Sequence, residues 1–476
     1  MRGLSVSRSP LRYRYQQVEA WLFEGIEQKR WRLGEKLPSI RRLCQLHQVS
    51  KATVLHALTH LEAQGWIEAR PKSGYFVTYQ VNPPKAVQSN NTIDAPRLAT
   101  LSDLFLDIMQ RSAAFDLLPS SLTLEESPGI RTLNRSIARA LRQQKTQESQ
   151  YYDSPAGDAS LRSQLSIHQA RRGWQVGCDQ LCITSGTQHG LFLALMASCQ
   201  RGDIVAVESP GFYGVLQLLE SLGLQVIEVP SSASHGMDME VLETMLQRWP
   251  IRACVVSPSF STPSGALMPI DRQRRLLDLA ESHDVVVIED DIYSDTALGE
   301  IPAPLKALDT TERVILCSSF SKSLSRDLRV GWVCGGRWHQ QIQQLKVVTQ
   351  LANSRFLQQG IAHFMAEGGF AAHLRRQRQV LQGRRDQLIT SLNDWPIQPM
   401  TLSRPLGGLS IWLELPETVN TLNAYSDALR QGIVITPGPL FSISGRYTNC
   451  LRLSFAHPWN EQRLQALAQL KTLLFE

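Results

Sequence analysis

The chain has 476 residues, 43% of them hydrophobic, which is more than one compact core accommodates and suits two or three domains. No run approaches about 18 apolar residues, so no membrane-spanning helix is expected, and the basic start MRGLSVSRSPLRYRY lacks the apolar core of a signal peptide. The net charge of +6 is uneven: residues 1–80 carry 13 Lys and Arg against 6 Asp and Glu, while the rest carry 36 against 37. That asymmetry predicts an anionic partner for the N-terminal piece alone. Eight cysteines stand singly, without a C-x-x-C pair, which fits reduced thiols in a cytoplasm.

In chain order, Val18, Trp21, Leu22 and Ile26 fall at helical spacing. Gly34 and Pro38 break that pattern, and Ser39 can cap a short helix, IRRLCQLH. After the tight link QVS, Ser50 can cap a longer helix with Val54, Leu58 and Leu61 on one face, stopped at Gly65. WIEAR and GYFVTY alternate like two short strands around PKS. Three helices and a basic hairpin over residues 1–80 predict a winged helix-turn-helix. Residues 81–104, rich in Pro, Asn, Ser and Thr at their start, read as a linker. From there to residue 476, apolar strand-like runs alternate with helical ones, the signature of an α/β domain with a mostly parallel sheet. The arginine-rich LRRQRQVLQGRRD, residues 374–386, has helical spacing and reads as a solvated helix face, with a second DNA surface as the alternative.

In a helix-turn-helix the second helix enters the major groove by its N-terminus, which here presents Ser50, Lys51 and Thr53. Arg41 and Arg42 open the preceding helix, where contacts to the phosphate backbone occur, and Lys72 and Gly74 sit at the wing tip. The alternative is a basic helical domain that docks on protein. The stretch LPSIRRLCQLHQVSKATVLHALTHLEAQGWIEARPKSGYFV resembles the GntR family of bacterial regulators over about 65 residues. The arginine that this family usually carries after its Thr-Val pair is replaced by Leu55 and His56, so base specificity does not carry over.

Three further stretches bear on SSFSKSLSRDLRVGW, residues 318–332. At Ser185-Gly186-Thr187 a strand gives way to a helix, and amides at a helix start with two hydroxyls form an anion cradle. VVVIEDDIY ends an apolar strand in Glu289, Asp290 and Asp291, at the strand end where such folds bind ligands; a helix cap or a metal site is the competing reading. Arg452 lies on a short strand near the end, where a surface salt bridge is the bland alternative. The order of Gly-containing cradle, carboxylate, lysine and arginine resembles fold-type I aminotransferases over residues 105–476, with a large subdomain at about 150–345. A smaller α+β subdomain would take about 346–476 and the preceding N-terminal segment.

That resemblance implies pyridoxal 5'-phosphate (PLP) as cofactor, with Lys322 forming the Schiff base. Asp290 would pair with the pyridine nitrogen, and Tyr293 would reach the ring hydroxyl. Ser185, Gly186, Thr187, Ser319, Ser321 and Arg329 would hold the phosphate, Phe212 would stack on the ring, and Tyr152 would reach the phosphate of the other subunit. Arg452 would bind an α-carboxylate. Thr262 stands where the family commonly has Asn, and its shorter hydroxyl leaves the hold on the ring oxygen mainly to Tyr293. The fusion resembles the MocR subfamily of GntR regulators. It implies a homodimer that binds operator DNA and senses PLP, an amino acid or an amine. An active aminotransferase with an accessory DNA-binding domain is the alternative.

Overall fold

The structure, a computed structural model, describes residues 14–27, 30–32, 34–63, 66–70, 73–77, 94–98, 116–118, 127–144, 152–395 and 400–475. The chain divides into two units, Met1–Lys85 and Ala86–Glu476.

In the first unit three helices, Arg14–Glu27, Ile40–His47 and Lys51–Ala63, precede a hairpin of Ile67–Arg70 and Gly74–Val77. The caps are the ones the hydroxyls dictate: Ser39 Oγ accepts from Arg42 N–H and Ser50 Oγ from Thr53 N–H. Val18, Leu22, Ile26, Leu43, Val54, Leu58 and Leu61 form the core, while Trp21 is only partly buried at its edge. One pairing has no periodic signal in the sequence. Gly34 and Leu37 N–H donate to Val77 and Tyr75 carbonyls, and Lys36 bridges Phe76, so the segment before the second helix adds a third edge to the wing. Lys72, expected at the wing tip, lies outside the described residues.

The second unit is built on a mixed sheet in the order Arg97–Leu98, Gln225–Ser232, Ile204–Ser209, Ile251–Val256, Val286–Asp290, Val314–Ser319, Gly331–Cys334, Leu181–Thr184; Gly236–Met237 adds to its second strand. The five strands from 225–232 to 314–319 run parallel. Both faces are covered, which is why these strands read as nearly unbroken apolar runs. Val205 and Val207 pack in one cluster with the helices Thr187–Ser198 and Tyr213–Leu222, while Ile204 and Ala206 pack with Met239–Arg248 and Ile270–Ser282. Arg97–Leu98 falls inside the stretch read as linker, yet it pairs antiparallel with Val226 and Gln225.

A second sheet, Thr401–Leu402, Ser410–Glu414, Cys450–Ser454, Thr436–Pro437, carries its own core with the helices Thr421–Arg430 and Glu461–Phe475. Asp116 joins it through paired bonds from Arg463 at 2.9 and 2.6 Å. The helix Gly369–Asn393 carries the arginine-rich stretch, and its face is not simply solvated: Arg385 is buried and donates to the Pro405 carbonyl. No helix among the described residues is long and apolar enough to cross a membrane.

Candidate functional site

The strand Val286–Asp290 ends in three carboxylates whose roles the pleat separates, because successive side chains alternate faces. Glu289 accepts from the backbone N–H groups of Leu305 and Lys306, both at 2.8 Å. Asp291 takes two bonds from Arg172 at 2.7 and 3.1 Å. Asp290 is different. It is 3% exposed, and its Oδ1 is buried without a hydrogen-bond partner among the described residues. Burial first, then the Asp291 charge, push its carboxyl up to about 7, against a partial pull from the Ile292 amide and Lys322. No group of carboxylates, histidines or cysteines among the described residues could hold a metal ion.

Lys322 lies in the turn after the neighbouring strand Val314–Ser319, where it faces Asp290. Burial and the guanidinium groups of Arg326 and Arg452 hold its amine well below the ordinary value, and Asp290 opposes them. The neutral amine, the nucleophilic form, is thus favoured. The Lys322 Nζ stands 6.0 Å from the Tyr293 ring centroid. Burial raises the Tyr293 hydroxyl, and Thr262 and Arg452 pull it partly back.

The cradle forms where the strand Leu181–Thr184 meets the helix Thr187–Ser198. Gly186 caps the helix with φ 83° and ψ 176°, a conformation reserved for glycine. A Cβ there would lie 2.9 Å from Arg329 Nη2, so this guanidinium fills the space over the glycine. Arg329 itself has φ 47° and donates to the Ser185 carbonyl at 3.1 Å. Thr187 Oγ1 bonds Ser319 Oγ at 2.9 Å, and Ser319 Oγ also accepts from Ser321 N–H at 3.3 Å. Ser321 Oγ is a further buried atom without a partner among the described residues. A helix start, three hydroxyls and an arginine brought together have the chemistry to hold an anion.

Phe212 precedes the helix Tyr213–Leu222, its ring 5.0 Å from that of Tyr213 and packed beside Gly214. Arg452 is 2% exposed on the second sheet, with its guanidinium 5.4 Å from the Phe441 ring and Nη2 3.4 Å from Thr436 Oγ1, which rules out a surface salt bridge. Tyr152 is 79% exposed and joins none of these groups among the described residues. In the other unit, Arg41, Arg42 and Lys51 are exposed at the first turns of their helices, and Gly74, with φ 113°, opens the second wing strand.

Several residues had no motif to announce them. Gln350 and Asn353 both donate to Ser185 Oγ and steady the cradle from a distant segment. Glu208, buried and pushed up to about 7 by burial, is bonded by Ser257 N–H and the Ser261 and Ser231 hydroxyls behind Asp290. Arg326 was visible inside the quoted lysine stretch, but only the fold brings it beside Lys322.

A nine-stranded α/β sheet with a lysine, a carboxylate and an anion cradle at one edge defines a fold-type I aminotransferase domain, here joined to a winged helix. The family models agree with that division: residues 126–470 match Aminotransferase class I and II, and residues 14–77 match Bacterial regulatory proteins, gntR family. The chain belongs to the GntR-type transcriptional regulators that carry a class I and II aminotransferase domain. It is 38% identical over 461 residues to the HTH-type transcriptional regulator YjiR of Escherichia coli, covering 96% of this chain and 98% of that one. Among solved structures, it resembles LysN, the α-aminoadipate aminotransferase of Thermus thermophilus, complexed with N-(5'-phosphopyridoxyl)-L-leucine. There the TM-score is 0.67 and the identity 29%, over 72% of this chain and 88% of that one. The kynurenine aminotransferase of Pyrococcus horikoshii, in complex with PMP, gives a TM-score of 0.70 at 25% identity, over 79% and 96%.

Proposed function

We propose that this regulator binds pyridoxal phosphate through Lys322 and uses that site to sense an amino acid or amine. The observation that carries the reading is the buried Asp290 Oδ1, without a hydrogen-bond partner among the described residues, opposite a lysine whose burial disfavours its charged form, beside a cradle closed by Arg329. These groups fit the cofactor part by part. Asp290 would face the ring nitrogen, and Ser185, Gly186, Thr187, Ser319, Ser321 and Arg329 would hold the phosphate. Tyr293 with Thr262 would face the ring hydroxyl, and Phe212 would cover a ring face. When bound, the cofactor supplies an aldehyde for amines and a ring that accepts electrons. The chain's own contribution is orientation, a lysine whose burial favours the neutral amine and, at Arg452, a charge-paired seat for a carboxylate.

In the same proposal, Arg41, Arg42, Ser50, Lys51, Thr53, Lys72 and Gly74 contact double-stranded operator DNA. Two copies would associate, with Tyr152 reaching the partner's phosphate site; its 79% exposure supports that reading. A second reading, aminotransferase turnover, is favoured by the buried Tyr293 beside Lys322, whose hydroxyl could hold the ring oxygen despite the missing asparagine.

The test is absorbance. The purified protein with pyridoxal phosphate is expected to show a visible band and a borohydride-reducible adduct. Lys322→Ala removes both. A variant that keeps the reducible adduct refutes the assignment, and a product assay with amino acids separates sensing from turnover.

A further inference from the structure

The segment Gly438–Tyr447 joins the second sheet's strand Thr436–Pro437 to Cys450–Ser454 and closes on itself. A Cβ on Gly438 would lie 2.1 Å from the Tyr447 carbonyl, so the loop's two ends touch. A loop closed this way moves as a body. Its inner side carries Phe441, fully buried, against Arg452 at 5.4 Å, Trp412 at 5.5 Å and Tyr213 at 5.6 Å. The Phe441 carbonyl also accepts from Gly211 N–H, one residue before Phe212.

The outer side of the same loop holds the exit of the interdomain segment. Arg446 pairs with Asp94 at 2.7 Å, and Arg97 donates to Ser444 Oγ. Beneath them, Glu228 gathers the loop onto the large sheet: it accepts from the hydroxyls of Ser442 at 3.0 Å, Ser444 at 2.5 Å and Ser209 at 3.0 Å, and from Ile443 N–H at 3.1 Å. The docked strand is only Arg97–Leu98, both exposed, pairing with Val226 and Gln225. Among the described residues the strand is held by that two-residue pairing, one partly exposed ion pair and one arginine bond, few enough contacts to be released.

We propose that residues 94–98 are a latch, and that the loop 438–447 reports ligand at Arg452 to the segment leading to the DNA-binding unit. This rests on the sensing reading above and names its route. A carboxylate on Arg452 that is also tethered beside Lys322 draws this arginine and the Phe441 packed on it inward. The loop follows as a body, and its outer residues leave Asp94 and Arg97. A cofactor without a carboxylate touches only the large-sheet side and leaves the latch closed.

The test uses the full chain and two probes, N-(5'-phosphopyridoxyl)-L-leucine and pyridoxamine phosphate, which differ by the carboxylate-bearing leucine part. Operator affinity and hydrogen exchange at Arg97 and Leu98 are measured for wild type and for Asp94→Ala/Arg97→Ala. In wild type the leucine adduct is expected to speed exchange at these two amides and change operator affinity at least about fivefold relative to pyridoxamine phosphate. In the double variant the two probes give equal operator affinity, while both still bind with wild-type spectra. A wild-type protein whose affinity ignores both probes overturns the sensing reading and the latch with it. Affinity that responds in wild type and responds equally in the double variant overturns the latch alone, as does unchanged or slower exchange at Arg97 and Leu98.

Discussion

Replacing Gly186 by Ala tests the cradle at its most constrained atom. The glycine has φ 83° and ψ 176°, and holding any other residue there costs about 1–3 kcal/mol. The added methyl would stand 2.9 Å from Arg329 Nη2 and 3.2 Å from its Cζ. The guanidinium must therefore move and give up its bond to the Ser185 carbonyl, worth about 1 kcal/mol. The unliganded protein should lose roughly 2–4 kcal/mol of stability from these two effects together. Cofactor affinity should fall for a separate reason. A displaced Arg329 no longer donates to the phosphate, and a charge-assisted bond of about 1.5–3 kcal/mol is about 10–100-fold in affinity. Equilibrium titration with pyridoxal phosphate, read by absorbance, measures the second effect; chemical denaturation measures the first. Gly202→Ala is the control. Gly202 also has positive φ, 93°, but nothing lies within 4 Å of the added methyl, so stability falls while cofactor affinity stays. If Gly186→Ala binds the cofactor as tightly as Gly202→Ala does, Arg329 and this helix start are not the phosphate site.

Two other expectations follow from charge. Asp290, pushed up to about 7, keeps its proton in the folded unliganded chain while the unfolded chain releases it near pH 4. Between about pH 4 and 7 the folded state thus binds the extra proton, so raising pH costs stability by up to ~1.4 kcal/mol per pH unit from this group. Asp290→Asn should flatten that slope in denaturation curves of the unliganded protein; an unchanged slope refutes the burial argument. In the other unit, Arg41→Ala/Lys51→Ala should weaken operator binding and reduce the salt slope of log K by roughly 0.9 per lost phosphate contact, without altering cofactor absorbance. If residues 81–476 alone bind that DNA as well as the full chain does, the helix-turn-helix is not the DNA surface.

What was legible in the sequence was what repeats or clusters. The strands of the large sheet announced themselves because both faces are buried, so each run is apolar throughout, and the three short helices because their caps and stripes agree. The strand-end positions of Ser185–Thr187, Asp290 and Lys322 were legible because each lies within a few residues of its own motif. The wing's third edge at Lys36 and the strand Arg97–Leu98 were not, since pairings of one or two residues have no period to detect. Gln350 and Asn353 were not, because what makes them matter is the return of a distant chain segment to Ser185. The arginine-rich helix was legible only in part: Arg375 and Arg376 are exposed, but Arg385 is buried and donates to the carbonyl of the distant Pro405, which the helix pattern cannot show.

The arrangement also decides which ligand can carry a signal. Ser185, Gly186, Thr187, Ser319, Lys322, Asp290 and Arg329 all belong to the large sheet and its edges, so the groups proposed for the phosphate, the Schiff base and the ring nitrogen lie on that side. A ligand shifts an equilibrium only by its difference in affinity for the two states, and contacts confined to one rigid body supply no such difference. Arg452 belongs to the second sheet, packed behind Phe441 and the loop that holds the exit segment. An amine that joins the cofactor beside Lys322 and places a carboxylate on Arg452 spans both bodies, and its binding energy then depends on how they are set. If the proposed sensing holds, the cofactor would prepare the site, and the amino acid would be the molecule whose presence the DNA-binding unit registers.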